Sequence, residues 1–556
     1  MNPLARLIDR ALGLPGPGVE VAVQRDIGVP MPDGVVLLGD HYRPVRDSGP
    51  QPVVLIRSPY GRAGLAGAVF GVPIARQGFQ LFIQSTRGTF GSGGEFRPFL
   101  YEQGDGLATV AWLRQQPWCD GRVATIGGSY LGHTQWAIAP YVDPPLEAVS
   151  LAVTAARITS AFYQHGAPGI RNALNWTGQI GRQERSVLPP VVPNPVRAAA
   201  MRRALRRTPL QAADVAVAGA PVPFWRDFIG HSSPDDDFWA PADHDRADLS
   251  RLPPVTMVTG WWDLFVAEQL RDFAAIRAAG VDARLIVGPW SHGEPSELRF
   301  VAQHDVAWLR HRLSGGPAPA GAPVRLYLQQ ADTWLDFEDW PPPAAATTWF
   351  LRQGGDLSSD PEPGDGPPRS FVYDPADPTP TVGGPLLQPP GKQADNAGVE
   401  ARADVLTYTS EPLAADHHVI GPASARIYVR PSLAYADVFV RVCDVDEKGV
   451  SRNVVDGIRR LSPQSVPGPD VAVGDDGVLR VDVAIFPTAY QLRAGHRIRI
   501  QVSGGAFPRY ARNHGTGEPF GAATDMQRCK FEILADGRHQ GHVVLPLATT
   551  SGIPAS

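Results

Sequence analysis

The chain has 556 residues, of which 43% are hydrophobic and 19% are charged, and its formal net charge is −5. This length exceeds what one hydrophobic core can organise and predicts about two to four domains. The balance of apolar and charged residues excludes a disordered chain, and the acidic net charge argues against nucleic acid as a partner.

The three cysteines, Cys119, Cys443 and Cys529, are few, odd in number and far apart. Their spacing predicts neither a disulfide framework nor a metal site. No run approaches the roughly 18 apolar residues of a membrane span, so no membrane partner is expected. Residues 1–14 lack the apolar centre and cleavage site of a secretory signal, and the cytoplasm is the predicted location.

The first part of the chain alternates strand and helix patterns. Residues 21–43 alternate apolar and polar side chains around an Asp-Gly pair, which predicts a β-hairpin. Apolar runs at residues 52–57, 78–84 and 121–128 indicate buried strands, and residues 105–115 show helical spacing. Such alternation is typical of a parallel sheet covered by helices.

The strand pattern stops between residues 155 and 249, where Arg-rich helical stretches and Pro-broken loops indicate an insertion. Strand patterns return at residues 255–259 and 283–287, with a helical pattern at 264–279 between them. After residue 315, short strands separated by turn residues predict an all-β sandwich or jelly roll.

The sequence Gly127-Gly128-Ser129-Tyr130-Leu131-Gly132 lies between a predicted strand and a predicted helix. A tight turn there would expose Ser129 as a nucleophile and aim the N–H of the next residue, Tyr130, at a developing oxyanion. The flanking glycines suit such a crowded turn. The strict G-x-S-x-G pattern is not met, because Leu131 stands where its second glycine would be. A glycine-rich turn with a passive serine is the alternative.

Two further loops, each directly after a predicted strand, would complete a catalytic triad. Asp263 ends Gly260-Trp261-Trp262-Asp263, and His292 lies in Gly288-Pro289-Trp290-Ser291-His292-Gly293. The chain order Ser, Asp, His is that of the α/β-hydrolases. His292 would serve as the base, and Asp263 would accept its Nδ1–H and orient the ring. A single aspartate in a loop is usually a helix cap, and a single histidine is usually structural. The triad is therefore predicted from the chain order of Ser129, Asp263 and His292 together.

These segments resemble the hydrolase family of cocaine esterase, X-prolyl dipeptidyl-peptidases and α-amino acid ester hydrolases, and the cocaine esterase-like members most. The family motif G-x-S-Y-x-G matches residues 127–132, which accounts for the displaced glycine. The acid and histidine loops are also similar. Further matching segments are Arg57-Ser58-Pro59-Tyr60, Thr86-Arg87-Gly88, Gln116-Pro117-Trp118-Cys119-Asp120-Gly121, Trp340-Pro341-Pro342 and Asp404-Val405-Leu406.

The resemblance implies an α/β-hydrolase core, an inserted helical cap and a C-terminal jelly-roll β-sandwich. The corresponding division places the core in residues 1–154 and 250–315, the cap in residues 155–249 and the jelly roll in residues 316–556. The family also implies a two-part oxyanion hole formed by the Tyr130 N–H and the Tyr60 phenol.

The resemblance assigns substrate binding to Phe162, Trp176 and Phe265, whose alternative role is ordinary core packing. Two positions depart from the family pattern: Ser85 replaces an aspartate, and Gly93 replaces a glutamate. Both departures put local ion pairing in doubt rather than catalysis. The run Asp235-Asp236-Asp237 is a candidate for binding a substrate ammonium, but a solvated turn or helix start is the simpler interpretation.

The sequence therefore predicts a serine hydrolase that cleaves a small-molecule ester through an acyl-enzyme, with no cofactor and no metal. One alternative is an X-prolyl dipeptidyl-peptidase, an amino-acid ester hydrolase or an amidase, which would share the triad and differ in the pocket. Another is a catalytically silent binding protein whose jelly roll grips a carbohydrate or partner. A homodimer is implied by the resemblance alone.

Overall fold

The structure is a computed structural model that describes residues 3–16, 18–45, 49–185, 194–387 and 391–548. The chain divides into two compact units. The first comprises Met1–Thr159, Gln179–Val192 and Asp235–Arg325, and the second comprises Ser160–Gly178, Pro193–Pro234 and Leu326–Ser556. The four-part division predicted from the sequence stays a prediction, and both of its outer limits, residues 1 and 556, lie outside the described residues.

The described strands, in chain order, are β1 Val21–Pro30, β2 Val36–Pro44, β3 Gln51–Ser58, β4 Gln80–Ser85, β5 Cys119–Gly128, β6 Ala148–Ala152, β7 Tyr163–Gln164, β8 Ala167–Pro168, β9 Val255–Trp262, β10 Ala283–Ser291, β11 Val324–Leu328, β12 Thr333–Phe337, β13 Ala344–Leu351, β14 Asp356–Ser358, β15 Arg369–Tyr373, β16 Val405–Ser410, β17 His417–Pro431, β18 Ala436–Val445, β19 Ser451–Leu461, β20 Val471–Val473, β21 Leu479–Leu492, β22 Arg497–Ser503, β23 Cys529–Leu534 and β24 His542–Ala548.

The described α-helices are α1 Pro3–Leu12, α2 Gly64–Ala66, α3 Val72–Arg76, α4 Glu102–Arg114, α5 Tyr130–Trp136, α6 Ile170–Ile180, α7 Pro195–Arg206, α8 Ala213–Ala218, α9 Pro223–Gly230, α10 Val266–Ala278, α11 Pro295–Ser314 and α12 Ala397–Glu400. A π-helical turn at Gly67–Gly71 joins α2 to α3, and 3₁₀ turns occur at Ile158–Ala161, Asp237–Ala242 and Leu249–Arg251.

The first unit is built on a mostly parallel sheet in the strand order β1-β2-β4-β3-β5-β6-β9-β10. The strands from β4 to β10 run parallel to one another, and the hairpin β1–β2 adds an antiparallel edge. Every residue of β4 and β9 is buried, so both faces of the sheet are covered at these strands. The predicted hairpin and the predicted strands are confirmed.

The parallel direction of the strands determines where their following loops lie. In a parallel sheet the carboxyl ends of the strands meet at one edge, and ligand sites form there. The loops after β3, β5, β9 and β10 therefore share an edge, and these loops carry Tyr60, Ser129, Asp263 and His292.

The second unit is dominated by antiparallel strands. Its largest sheet runs in the order β15-β23-β17-β24-β13-β14-β16-β22-β18-β19, and β21 pairs with both β17 and β20. The 15-residue strand β17 pairs with β21, β23 and β24, so it links distant parts of the sheet. Alternate apolar side chains of these strands form one large buried core, as expected for a sheet with one face packed inward.

A buried charge cluster crosses the β18–β19 pair of the second unit. Asp456 accepts from Arg441 at 2.9 Å and from Arg509 at 2.6 Å, and all three side chains are at most 2% exposed. Burial by itself would raise the pKa of Asp456, but the two guanidinium groups outweigh burial and lower it. Two buried cations thus share the single negative charge of Asp456.

We expect Asp456→Ala to lower the free energy of unfolding by about 3–5 kcal/mol, because two buried guanidinium groups lose their counter-charge. The matched control is Asp482→Ala, which removes the half-exposed pair with Arg426 and should cost at most about 1 kcal/mol. Urea unfolding of both variants measures the difference. Equal losses in the two variants would contradict the structural role of the cluster.

The three cysteines of the sequence are free and buried. Burial raises the pKa of each thiol, in the case of Cys443 to about 12. Within the part of the chain that the structure describes, no helix is long and apolar enough to cross a bilayer. The same described residues contain no cluster of His, Cys, Asp or Glu side chains suited to a metal ion.

Candidate active site

Ser129 occupies a strained turn between β5 and α5. Its backbone angles are φ 58° and ψ −123°, a left-handed conformation that is rare for a residue with a side chain. The turn is fastened to the sheet because the Ser129 N–H donates to the Ala152 carbonyl of β6 at 2.9 Å. Strain of this kind persists only where the surroundings enforce it and is common at functional sites.

The glycines around Ser129 remove side chains that the turn could not accommodate. A Cβ on Gly127 would lie 2.7 Å from the Leu131 Cβ, and a Cβ on Gly132 would lie 2.5 Å from the Thr154 Cγ2. This geometry explains the departure from G-x-S-x-G. The Leu131 side chain packs against Gly127. The second glycine of the motif is needed at position 132 instead of 131, because α5 passes close to Thr154 there.

Ser129, His292 and Asp263 form a continuous hydrogen-bonded chain. His292 Nε2 lies 3.1 Å from Ser129 Oγ, and His292 Nδ1 lies 2.7 Å from Asp263 Oδ2. Asp263 is fully buried, and its other oxygen accepts the Phe265 N–H at 2.8 Å. With Nδ1–H donating to Asp263, the lone pair of Nε2 is free to accept the serine proton.

The charge of Asp263 governs the basicity of His292. Burial lowers the pKa of His292, whereas the charge of the Asp263 carboxylate and its hydrogen bond with Nδ1 act in the opposite direction, and the pKa is raised above its ordinary value of 6.5. A histidine with a pKa in this range can take and return a proton near neutral pH.

Tyr60 and Tyr130 lie together beside the serine turn. Their rings meet edge to face with centroids 6.5 Å apart. The Tyr130 side chain is buried, and its hydroxyl donates to Glu102 Oε1 at 2.7 Å and accepts the Phe99 N–H at 3.0 Å. The phenol of Tyr130 is thus fixed in the core, which leaves its backbone N–H as the group suited to an oxyanion.

Sequence reasoning missed the residues that fix Tyr130. Glu102 pairs with Arg57 at 2.8 Å, with both side chains buried. Burial first, and the charge of Glu102 second, raises the pKa of Tyr130 well above 10, so its hydroxyl stays protonated as a donor. Arg57 stands beside the matching Ser58-Pro59-Tyr60 segment, and a charged residue inside an otherwise apolar strand is the signal that could have revealed the pair.

The three predicted substrate-binding residues fall in two places. Phe265 lies in the first unit with its ring centroid 5.8 Å from that of His292. Phe162 and Trp176 lie in the second unit, 6.4 Å apart, and both pack against Phe224. Phe224 and Phe228 sit one turn apart on α9, a spacing that could have identified this aromatic cluster from the sequence.

The two departures from the family pattern, Ser85 and Gly93, both lie in local contacts. Ser85 Oγ accepts from Arg62 at 3.1 Å, and Arg62 is neutralised instead by Asp40 and Asp26. Gly93 lies against the β-hairpin, where a Cβ would come within 3.2 Å of the Val36 carbonyl. Arg62, in the loop after β3, is therefore ion-paired with carboxylates from the hairpin.

The acidic run at residues 235–237 is engaged in local structure. Asp236 caps the 3₁₀ turn Asp237–Ala242 by accepting the Phe238 N–H at 2.9 Å, and Asp235 pairs with Arg157 at 2.5 Å. These contacts support the simpler interpretation of the run as a helix start.

Fold and site geometry together define an α/β-hydrolase. The chain matches the X-Pro dipeptidyl-peptidase (S15 family) over residues 33–294 and the X-Pro dipeptidyl-peptidase C-terminal non-catalytic domain over residues 320–543. It is 32% identical to cocaine esterase of Rhodococcus sp. (strain MB1 Bresler) over 95% of this chain and 98% of that protein. The chain therefore belongs to the S15 family of serine hydrolases, as the sequence motifs predicted.

Two solved structures resemble the fold over nearly its whole length. An aminopeptidase from a marine sediment Thaumarchaeota archaeon has a TM-score of 0.79 and 22% identity, covering 96% of this chain and 97% of its own. An α-amino acid ester hydrolase has a TM-score of 0.77 and 21% identity, covering 96% and 98%. The predicted fold class, an α/β-hydrolase core with a C-terminal β domain, is confirmed.

The contact between Gly132 and Thr154 leads to a prediction. Gly132→Ala should lower the free energy of unfolding by about 1–3 kcal/mol, because the new methyl group overpacks the turn. Gly104→Ala is the matched control in α4, where an added Cβ meets nothing within 4 Å, and it should raise stability by about 0.4–1 kcal/mol. Chemical denaturation compares the two. A neutral Gly132→Ala would refute the steric explanation of the displaced glycine.

Proposed function

We propose that this protein is a carboxylesterase in which Ser129, His292 and Asp263 form the catalytic triad. The observation that carries the proposal is the continuous contact from Asp263 through His292 to Ser129, at 2.7 and 3.1 Å, with Ser129 held in a strained turn. The 32% identity to a protein named cocaine esterase supports an ester as the substrate.

In the first step, Ser129 Oγ bonds to the ester carbonyl carbon while its proton passes to His292 Nε2. The tetrahedral intermediate then collapses, and His292 gives that proton to the leaving alcohol. In the second step, water loses a proton to His292 and attacks the acyl-enzyme. The bond from the acyl carbon to Ser129 Oγ then breaks, His292 returns the proton to Oγ, and the acid is released. Asp263 remains ionised throughout and stabilises the imidazolium.

The Tyr130 N–H and the Tyr60 hydroxyl are the proposed donors to the oxyanion. The buried anchor at Glu102 supports the first assignment, because it fixes the residue whose N–H is needed. The position of Tyr60 beside Tyr130 supports the second. Preorganised donors of this kind stabilise the transition state more than the ground-state carbonyl.

Phe162, Trp176 and Phe265 are the proposed substrate-binding residues. Aromatic side chains suit a bulky or aromatic acyl group, since they offer large apolar area at fixed geometry. The proposed substrate is thus a small-molecule ester. The homodimer, the cytoplasmic location and the exclusion of nucleic acid stay predictions of the sequence.

A second candidate is peptidase activity of the X-Pro dipeptidyl-peptidase type. The match of residues 33–294 to the family of that name favours it. Release of an N-terminal dipeptide requires a carboxylate that receives the substrate ammonium, and the one acidic run singled out in the sequence is already engaged by a helix end and Arg157. Comparing kcat/KM for an aryl ester and an X-Pro anilide decides between the two activities.

We expect Ser129→Ala to lower kcat by about 10⁴-fold or more, because no other group can form the acyl-enzyme. A fluorophosphonate probe should label the wild type at Ser129 and leave the variant unlabelled, which also separates an enzyme from a silent binding protein. Ser314→Ala, an exposed serine at the end of α11, is the control. Retention of near-wild-type esterase activity in Ser129→Ala would refute the proposal.

Tyr60→Phe should lower kcat by about 10²–10³-fold with little change in KM, since the lost hydroxyl serves the transition state. Tyr101→Phe, at an exposed position, provides the same chemical change outside the site. Steady-state kinetics with an aryl ester measures both. A loss below about threefold would remove Tyr60 from the oxyanion hole.

A further inference from the structure

Two glutamates hold the backbone on either side of His292. Glu294 Oε2 accepts the Ser291 N–H at 3.0 Å and the Ser291 hydroxyl at 3.1 Å. Glu297 Oε2 accepts the Gly293 N–H at 2.7 Å. The N–H groups of the residues on either side of the histidine are thus fixed by Glu294, which caps α11, and by Glu297 in its first turn. These contacts hold the loop that carries the imidazole.

Glu297 differs from an ordinary glutamate at a helix start because it is only 1% exposed. Its second oxygen, Oε1, is buried and has no hydrogen-bond partner among the described residues. A glutamate at this third helical position commonly caps the helix as a solvated anion, where the helix dipole favours negative charge. A buried anion without compensation is costly, so burial works against that form here.

The groups that face Glu297 also oppose its ionisation. Burial raises its pKa first and the Asp263 carboxylate raises it further, to about 8, although His292 and the N–H groups of residues 293 and 294 act in the opposite direction. The negative charge of Asp263 therefore disfavours a second negative charge on Glu297. Burial and the Asp263 carboxylate together favour the neutral carboxylic acid form of Glu297, in which Oε2 still accepts the Gly293 N–H.

We propose that Glu297 is a positioning residue for the catalytic base: as a neutral acid it holds the His292 loop in place and leaves Asp263 as the anion that acts on the imidazole. This inference rests on the proposed triad. An ionised Glu297 would make His292 more basic, so a larger share of the enzyme would carry a protonated, inactive imidazole near neutral pH.

Three variants separate the acceptor role of Glu297 from its charge. Glu297→Gln keeps an oxygen for the Gly293 N–H, and its kcat at about pH 7 should stay within about threefold of wild type. Glu297→Leu removes the acceptor, and its kcat should fall by about tenfold or more with a small change in KM, because a displaced base misaligns the attack. Glu20→Gln makes the same side-chain replacement at an exposed position and serves as the control.

Thermal unfolding against pH tests the neutral state without any activity readout. A group whose folded-state pKa lies above its unfolded value stabilises the protein at low pH, and that contribution is lost as the pH rises through the folded value. For Glu297 this interval runs from its ordinary pKa of 4.5 to about 8. The Tm of Glu297→Gln relative to wild type should therefore rise by about 2 °C or more between about pH 5 and pH 8.

The opposite trend identifies the alternative. An ionised helix cap would have a lowered pKa, and Glu297→Gln would then lose stability relative to wild type as the pH rises. A flat or falling Tm difference therefore overturns the inference, as does a Glu297→Leu variant that keeps at least half of the wild-type kcat. Because Glu297→Gln retains the acceptor, this test remains available even if the leucine variant does not fold.

Fluorophosphonate labelling separates this inference from the proposed function. If wild-type Ser129 is not labelled, the triad assignment itself fails. If the wild type is labelled and Glu297→Leu reacts at the same rate, the triad stands and the positioning role of Glu297 is wrong. The expected result is a labelled wild type, a Glu297→Gln variant of similar rate and a slower Glu297→Leu variant.

Discussion

A single buried negative charge organises the site around it. Asp263 has no exposed surface, and among the described residues it is stabilised by the Phe265 N–H and by the imidazole of His292 rather than by Arg or Lys. Because the charge cannot be screened by water, its effects on neighbouring groups are large. It raises the basicity of His292 and suppresses the ionisation of Glu297. The same carboxylate thus acts on both His292, the proposed base, and Glu297, which accepts the N–H of the next residue.

The turn at Ser129 imposes a second constraint, which is steric. The strained backbone angles of the serine are kept by the hydrogen bond to β6 and by close packing of α5 against Thr154 and Gly127. Gly127 and Gly132 therefore cannot accept a larger side chain without displacing their neighbours. For Ser129 as the proposed nucleophile, this rigidity means that no rearrangement is needed when the substrate arrives.

The sequence predicted the core sheet and the proximity of Ser129, His292 and Asp263, because apolar runs mark the strands and each of these residues comes directly after one of them. Apolar runs marked β3, β4 and β5, and parallel strands bring their following loops to one edge. Other features were hidden for physical reasons. Glu297 follows a Gly-Glu-Pro-Ser stretch that resembles an exposed helix start. Its burial depends on tertiary packing, which the local sequence does not reveal. Strand β19 carries Asp456 inside a core, which breaks the apolar alternation expected of a strand.

Because all three thiols are buried, native cysteines should not compete with an introduced cysteine for a thiol-reactive label. A thiol reacts as its thiolate, and none of Cys119, Cys443 or Cys529 offers an accessible sulfur or a lowered pKa. A cysteine introduced at an exposed surface position would therefore be the preferred target of a maleimide dye or spin label. Distances between the two compact units could then be measured in solution without first removing native residues.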